Sequence, residues 1–386
     1  MRIYLYTPEP ALGGTETLAL RVARELRRRG QETVIVTAQG GWLDGQARGL
    51  GVPVTDAQSF AASSLPPGAR VIASCKYLRA AALAPHLAVT VFWILHPLEF
   101  CWNDFKRVFG AYRHLDATNC GRAFRVLRPR RFAGLRADYL ALAEAGRLLS
   151  MSEDCTDFTN RFLGTKALLP LVMLPASEAA NLDTPAAAAE IAPLRTIAYF
   201  GRIEEFKVAS IRRLLSDVAA LPDRERWGTV QLFGYGRQEA EVTSFAASLG
   251  VPIRISGALP VDEVARRARE TGALVFTMGL SGVDLLVQNV PTVYLPIPSS
   301  AHDRRGTYAF LHRLPAGCVG AYPEFLNPAN GHRLPDLLRL AATDELRRAL
   351  TADRDCIARN HQLTMTVDGL LDHVGRSGLV SSSSRP

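Results

Sequence analysis

No stretch of this chain stays apolar for the roughly 20 residues that a membrane-spanning helix requires. The opening MRIYLYTPEP has no basic segment leading into an apolar one. A cytoplasmic protein is therefore expected. Cysteine is scarce: Cys75, Cys101, Cys120, Cys155, Cys318 and Cys356 lie far apart, with no CxxC and no histidines at metal-ligand spacing. That pattern argues against a disulfide framework and against structural zinc, and the thiols are read as reduced. The basic residues come without a nucleic-acid-binding motif, so no nucleic-acid partner is expected.

What is present is a long, balanced chain. Its 386 residues exceed what one hydrophobic core usually organises, and 48% hydrophobic with 21% charged residues suits a folded enzyme. The formal charge of +8 implies attraction to anionic partners without choosing among them. Arginines gather in two places, RVARELRRRG at 21–30 and RAFRVLRPRRFAGLR at 122–136. The second interleaves Phe124, Val126, Leu127 and Phe132 with the cations, as interfacial segments do, so an anionic membrane surface is weighed beside a plain solvated face.

Short runs rich in Val, Ile and Leu alternate with longer stretches of helical spacing, the pattern of parallel sheets with crossover helices. The first series of strands is placed at 3–7, 33–37, 71–74, 89–94, 148–151 and 169–174. In the helix after the first strand, Leu18, Val22 and Leu26 line one face and Arg21, Arg24 and Arg28 another. The Ala- and Pro-rich stretch 176–195 interrupts the rhythm. A second series then follows at 196–200, 229–233, 253–255, 273–277 and 292–295. The expected architecture is α/β: a Rossmann-like domain over 1–175, a linker over 176–195 and a second Rossmann-like domain over 196–355. A helix at 356–376 returns to the first domain, and 377–386 is a low-complexity tail. Paired halves of this kind place a ligand in a central cleft, at the carboxyl ends of the strands.

The candidate chemistry sits at those strand ends. In TPEPALGGTETLAL, Gly13 and Gly14 precede a helix whose first amides can face an anion, with Glu16 in its first turn. A tight structural turn is the plain alternative. In TIAYFGRIEEFK, Gly201 lets the chain turn, and Arg202 with Lys207 offers a flat fork of donors and a mobile point charge. Two such cations can clamp a diphosphate leaving group as negative charge builds on it. In GLSGVD, the backbone at Ser281 and Gly282 can add amide donors, and the Asp284 carboxylate, placed near a helix start, can accept ribose hydroxyls. These groups need no divalent ion, so no metal and no cofactor is expected beyond the nucleotide itself. LFGYGRQ puts Gly234 and Gly236 at a turn, and MSEDCTDFTNRF reads as a strand end, a cap at Ser152 and an acidic first helical turn.

In order along the chain, GGTETLALRVARELRRRG, GRIEEFK, LFGYGRQ, IRISGALPVDEVARRARETGALVF and GVDLLVQNVPTVYLP resemble the GT-B glycosyltransferases, above all the family 4 group of sucrose synthases and bacterial mannosyltransferases. The resemblance implies that Arg202 and Lys207 bind the donor phosphates, that backbone near Ile255 meets the base, and that Asp284 binds the ribose. It departs where that group has two glutamates eight positions apart: Asp284 stands for the second and Phe276 falls at the first. The short segment before Asp284, with YLPIPSSAHD running to His302, is similar to the inverting enzyme that adds N-acetylglucosamine to lipid-linked peptidoglycan precursor.

Inverting and retaining chemistry both fit these residues. An inverting reaction needs a general base, for which His96, following VTVFWIL and near Glu99, is the leading candidate, with Asp104 and Glu16 in reserve. The expected function is transfer of a sugar from a nucleoside diphosphate sugar to a glycan or lipid-linked acceptor in surface polysaccharide assembly. The enzyme would be cytoplasmic and peripheral on the inner face of the membrane. A nucleotide-sugar epimerase of the same fold, or an inactive nucleotide-sugar-binding protein suggested by Phe276, are the alternatives.

Overall fold

The computed structural model describes residues 1–10, 12–97, 99, 117–177, 193–296, 307–320, 330–340 and 343–376. Asp104, Cys101, His302, most of the 176–195 stretch and the 377–386 tail lie outside them. The chain divides into two compact units, one formed by Met1–Pro175 with the chain from Gln362 onward, the other by Ala176–His361. Residue 356, expected to begin the returning helix, lies inside a helix of the second unit at Asp344–Asn360. The return begins at Gln362.

In the first unit, strands β1 (Arg2–Tyr6), β2 (Glu32–Val36), β3 (Val54–Thr55), β4 (Arg70–Ser74), β5 (Thr90–Ile94) and β6 (Leu148–Ser150) form a sheet in the order β3-β2-β1-β4-β5-β6. All of its ladders are parallel. Its strands are continuous apolar runs because helices cover both faces of such a sheet. Helix α1 (Gly14–Arg28) buries Leu18, Val22 and Leu26, the expected face. Helices α2 (Trp42–Gly49) and α3 (Ala57–Ala62) follow, the latter capped by Asp56. Helices α4 (Ala117–Leu127), α5 (Pro129–Glu144) and α6 (Glu153–Leu163) lie between β5 and the end of the unit. Ser152 caps α6 as expected, accepting from the Cys155 N–H.

The expected strand at 169–174 is not one: Leu171 makes only an isolated parallel bridge with Ser150. Two bonds make that bridge, from the Ser150 N–H to the Pro170 carbonyl at 3.0 Å and from the Val172 N–H to the Ser150 carbonyl at 2.8 Å, and Pro170 has no N–H to extend it. The carbonyls beyond go to side chains instead, Val172 to the Trp93 indole at 3.0 Å and Met173 to Thr366 at 2.8 Å.

In the second unit, β7 (Thr196–Phe200), β8 (Val230–Phe233), β9 (Ile253–Ile255), β10 (Ala273–Thr277) and β11 (Thr292–Tyr294) form a parallel sheet in the order β11-β10-β7-β8-β9. Around it lie α7 (Glu205–Ala219), α8 (Glu239–Ser248), α9 (Val261–Thr271), α10 (Leu280–Val287), α11 (Leu334–Leu340) and α12, the helix at Asp344–Asn360. Ile197, Tyr199, Ile211, Leu214, Leu232 and Phe276 belong to the core on one side, and Ala198, Phe233, Val264, Ala265 and Leu285 to a smaller cluster.

The closing helix α13 (Leu363–Arg376) belongs to the first unit. Arg29 holds it to the end of α1, pairing with Asp368, donating to the Thr364 carbonyl at 2.9 Å and bonding the buried Glu25. Arg28 also pairs with Glu25, whose pKa falls chiefly because of that bond, and Arg27 donates to the Gly51 carbonyl. The first arginine cluster is thus largely consumed inside the unit.

Candidate functional site

Strand order locates the crevices. In the second unit the chain runs from β7 to β8 and β9 on one side, then returns to place β10 and β11 on the other. Connections leave the carboxyl ends of β7 and β10 in opposite directions, and α/β sheets bind ligands at such a switch point. The residues expected to clamp phosphate fall there: Gly201, Arg202 and Lys207 follow β7, and Gly279 to Asp284 follow β10.

The first turn of α7 and the segment after β10 are tied together. Lys207 Nζ donates to the carbonyl of Met278 at 3.3 Å, and Ser281 Oγ donates to the same carbonyl at 3.4 Å. Thr277 Oγ1 donates to the Phe200 carbonyl at 2.8 Å and lies 3.0 Å from Ser281 Oγ. Beneath them, Tyr199 Oη donates to the Arg202 carbonyl at 2.9 Å and fixes the turn after β7. Burial and, to a lesser extent, the charge of Arg202 together lower the Lys207 pKa to about 8. An ammonium so placed binds an anion more strongly than one in water, because less hydration is lost on binding. The Arg202 guanidinium takes no carboxylate partner among the described residues.

Glycines permit this closeness. Gly201 has φ 148° and Gly279 φ 88°, conformations that side-chain-bearing residues rarely adopt. Gly234 and Gly236 have no such need; a Cβ on them would come 2.0 Å from the Gly201 carbonyl oxygen and 2.2 Å from that of Ile203. Close approach of the loop after β8 to the loop after β7, rather than turn geometry, explains them. Gly282 likewise lies against Tyr294 Oη, 2.5 Å from where its Cβ would be.

Helix α10 begins at Leu280, directly after the positive-φ Gly279. Asp284 therefore lies in its second turn and not at its start, buried, with its Oδ1 accepting from the Ser177 N–H at 2.9 Å. Favourable interaction with the helix N-terminus is confined to the first turn, so that simpler reading of Asp284 loses its basis. Ile255 ends β9, an edge strand bonded to β8 on one side only. Phe276 lies within β10, fully buried and edge-on to Tyr308 at 5.0 Å. A carboxylate there would sit in the core, so counting eight residues back from Asp284 does not reach a strand-end position. The inactive-protein reading rested on that count.

In the first unit the switch point lies between β1 and β4. Gly13 and Gly14 follow β1 and begin α1; a Cβ on Gly14 would meet nothing within 4 Å among the described residues. With φ negative and space open, no packing reason requires that glycine. Several polar residues at this end were not singled out in the sequence. Lys76 pairs with Glu9 at 3.0 Å and lies over the Tyr77 ring at 4.7 Å. Burial, then Glu9 and the buried Glu16, push the Tyr77 hydroxyl far up. The signal available was CKY placed directly after a strand.

His96 follows β5, one strand away from the switch point. Its carbonyl accepts from the Glu99 N–H at 2.9 Å. The Glu99 carboxyl itself is held by the Ser74 hydroxyl and by the Leu95 N–H at 2.8 Å. Burial raises its pKa to about 7 against the lowering effect of those bonds.

The second arginine cluster divides between core and solvent. Phe124 and Phe132 are buried with Phe162, ring centroids 5.9 to 6.5 Å apart. At the corner between α4 and α5, Val126 is 78% and Leu127 53% exposed, among exposed Arg122, Arg125, Arg128, Arg130, Arg131 and Arg136. No acidic residue occurs between Ala117 and Ala137.

No protein-family model matches the chain, and no curated protein matches it in sequence. Solved structures do. HepE from Anabaena in complex with UDP-glucose superposes with a TM-score of 0.60 at 14% identity, over 97% of this chain and 99% of that one. A glycosyltransferase from Rickettsia africae gives a TM-score of 0.56 at 13% identity, over 99% of each chain. WaaG, a glycosyltransferase involved in lipopolysaccharide biosynthesis, gives 0.54 at 12%, over 97% of this chain and 100% of that one. These likenesses, with the two parallel sheets, establish the fold of this chain as GT-B.

Proposed function

We propose that the protein is a glycosyltransferase that moves a sugar from a nucleoside diphosphate donor to a glycan or lipid-linked acceptor in surface polysaccharide assembly. The observation that carries this reading is the convergence of Arg202, Lys207 and the glycine-led start of α10 at one strand-end switch point. Departure of a nucleoside diphosphate leaves negative charge on its phosphates, and preformed cations stabilise that charge without reorganising. Arg202 supplies paired donors and Lys207 a point charge, with backbone at Ser281 and Gly282 beside them. The two cations take the place of a divalent ion, so chelation with EDTA is expected to leave turnover intact.

Asp284 is assigned to the donor ribose and the backbone at Ile255 to the base. His96 is assigned to the acceptor side, as general base if the anomeric configuration inverts. HepE was solved with UDP-glucose, which makes UDP-glucose the first donor to try. Val126, Leu127 and the surrounding arginines suit an anionic membrane surface, where a lipid-linked acceptor would be met.

Thermal-shift screening against nucleoside diphosphate sugars identifies the donor through ligand-linked stabilisation, and product analysis with and without acceptor follows. Sugar transferred to an added acceptor supports the assignment. No stabilisation by any nucleotide or nucleotide sugar would remove it.

A further inference from the structure

Asp284 is not positioned by its own helix alone. The first residues of the second unit reach it: Ala176 N–H donates to the His361 carbonyl at 2.7 Å, joining the two points where the chain enters and leaves the unit. One residue on, the Ser177 N–H donates to Asp284 Oδ1 at 2.9 Å. The Ser177 hydroxyl is buried as well, and its oxygen has no hydrogen-bond partner among the described residues. Leaving a buried hydroxyl unpaired is unfavourable, so such groups call for an explanation.

We infer that Ser177 is a donor-site residue: its N–H orients the Asp284 carboxylate, and its hydroxyl pairs with the ribose hydroxyl that Asp284 accepts. The inference rests on the nucleotide-sugar reading above. Chemically the pair is well matched, because a ribose diol offers donors to a carboxylate and both donor and acceptor capacity to a neighbouring hydroxyl. One backbone group and one side chain of the same residue thus have separate tasks, and substitution can separate them. Ser177→Ala removes the hydroxyl and keeps the N–H. Ser177→Pro removes both.

Binding of UDP, ADP, GDP and CDP, each beside its 2′,3′-dideoxy counterpart, is measured by titration calorimetry on wild type, Ser177→Ala, Ser177→Pro and Asp284→Asn. The expected result is a wild-type preference for the ribose form of at least one nucleotide. Ser177→Ala should weaken that form about fivefold, the worth of one net hydrogen bond, and leave the dideoxy form unchanged. Ser177→Pro, if it folds, should lose the preference to the extent that Asp284→Asn does. A Ser177→Ala protein with the wild-type ribose preference overturns the inference about its hydroxyl, even where Ser177→Pro does not fold. If Asp284→Asn loses the preference while both Ser177 variants keep it, this inference fails and the nucleotide reading stands. If wild type binds none of the eight ligands, the nucleotide reading itself fails.

Discussion

Lys207 donates its ammonium to the carbonyl of Met278 at 3.3 Å, so the first turn of α7 is held to the residue directly after β10. This bond stores the cation at the switch point of the second unit. Incoming phosphate oxygens are stronger acceptors than a carbonyl, because charge-assisted bonds are roughly twice as strong. The ammonium can turn to them with little movement.

That placement has a pH signature. With its pKa lowered to about 8 by burial and by Arg202, Lys207 carries its charge below about pH 8 and loses it as pH rises through that value. Affinity for UDP in the wild type is therefore expected to fall between pH 7 and 9. In Lys207→Ala it should be weaker throughout and nearly flat over the same range. Parallel pH profiles in the two proteins would show that Lys207 is not the titrating group.

Gly201 is the second sensitive point. Its φ of 148° suits glycine alone, and a Cβ would come 2.9 Å from Tyr199 Oη and 3.3 Å from Lys207 Nζ. Gly201→Ala should destabilise the fold by about 1–3 kcal/mol through backbone strain, and it should also weaken nucleotide binding by displacing Lys207. Denaturant unfolding and UDP titration on one preparation measure both.

In the first unit, Glu99 gives a stability prediction. Its pKa is about 7 in the folded protein, raised from 4.5 by burial. Folded protein therefore holds the proton more tightly than unfolded chain between those values. Its contribution is greatest below about pH 4.5 and is lost as pH rises through about 7. Wild type should lose up to about 3 kcal/mol over that window relative to Glu99→Gln. The comparison is of unfolding free energies at pH 5 and pH 8, and equal pH dependence in both proteins contradicts the assignment.

Most of both sheets was legible in the sequence. Short runs rich in apolar residues marked the strands, and 196–200, 253–255 and 273–277 match to the residue. The failures have local causes. Pro170, with no N–H to extend the ladder, left a single bridge where its neighbours' hydrophobicity suggested a strand, and the two-residue β3 was too short to stand out. Within the site, cations and glycines announce themselves by type and spacing. Glu9, Lys76 and Tyr77 did not, because their meeting depends on the order of strands rather than on distance along the chain. Ser177 depends on where two chain crossings come together, which no local pattern encodes. Phe124 and Phe132 looked interfacial until α4 and α5 turned them onto Phe162, leaving Val126 and Leu127 outside.

That corner has its own test. Flotation with vesicles containing phosphatidylglycerol should recover the protein at low ionic strength and progressively less as salt is added, since the attraction is screened. Val126→Ser with Leu127→Ser should reduce recovery, while turnover of a soluble acceptor is unchanged. Equal recovery on neutral phosphatidylcholine vesicles would contradict an electrostatic surface.

The most direct test of the phosphate clamp is turnover of the donor found by thermal shift, measured for wild type, Arg202→Ala and Lys207→Ala at pH 7. Each substitution is expected to cost about 2–4 kcal/mol of transition-state stabilisation, a loss of roughly 30- to 1000-fold in rate. Near-wild-type rates in both variants would contradict the claim that these two cations neutralise the departing diphosphate.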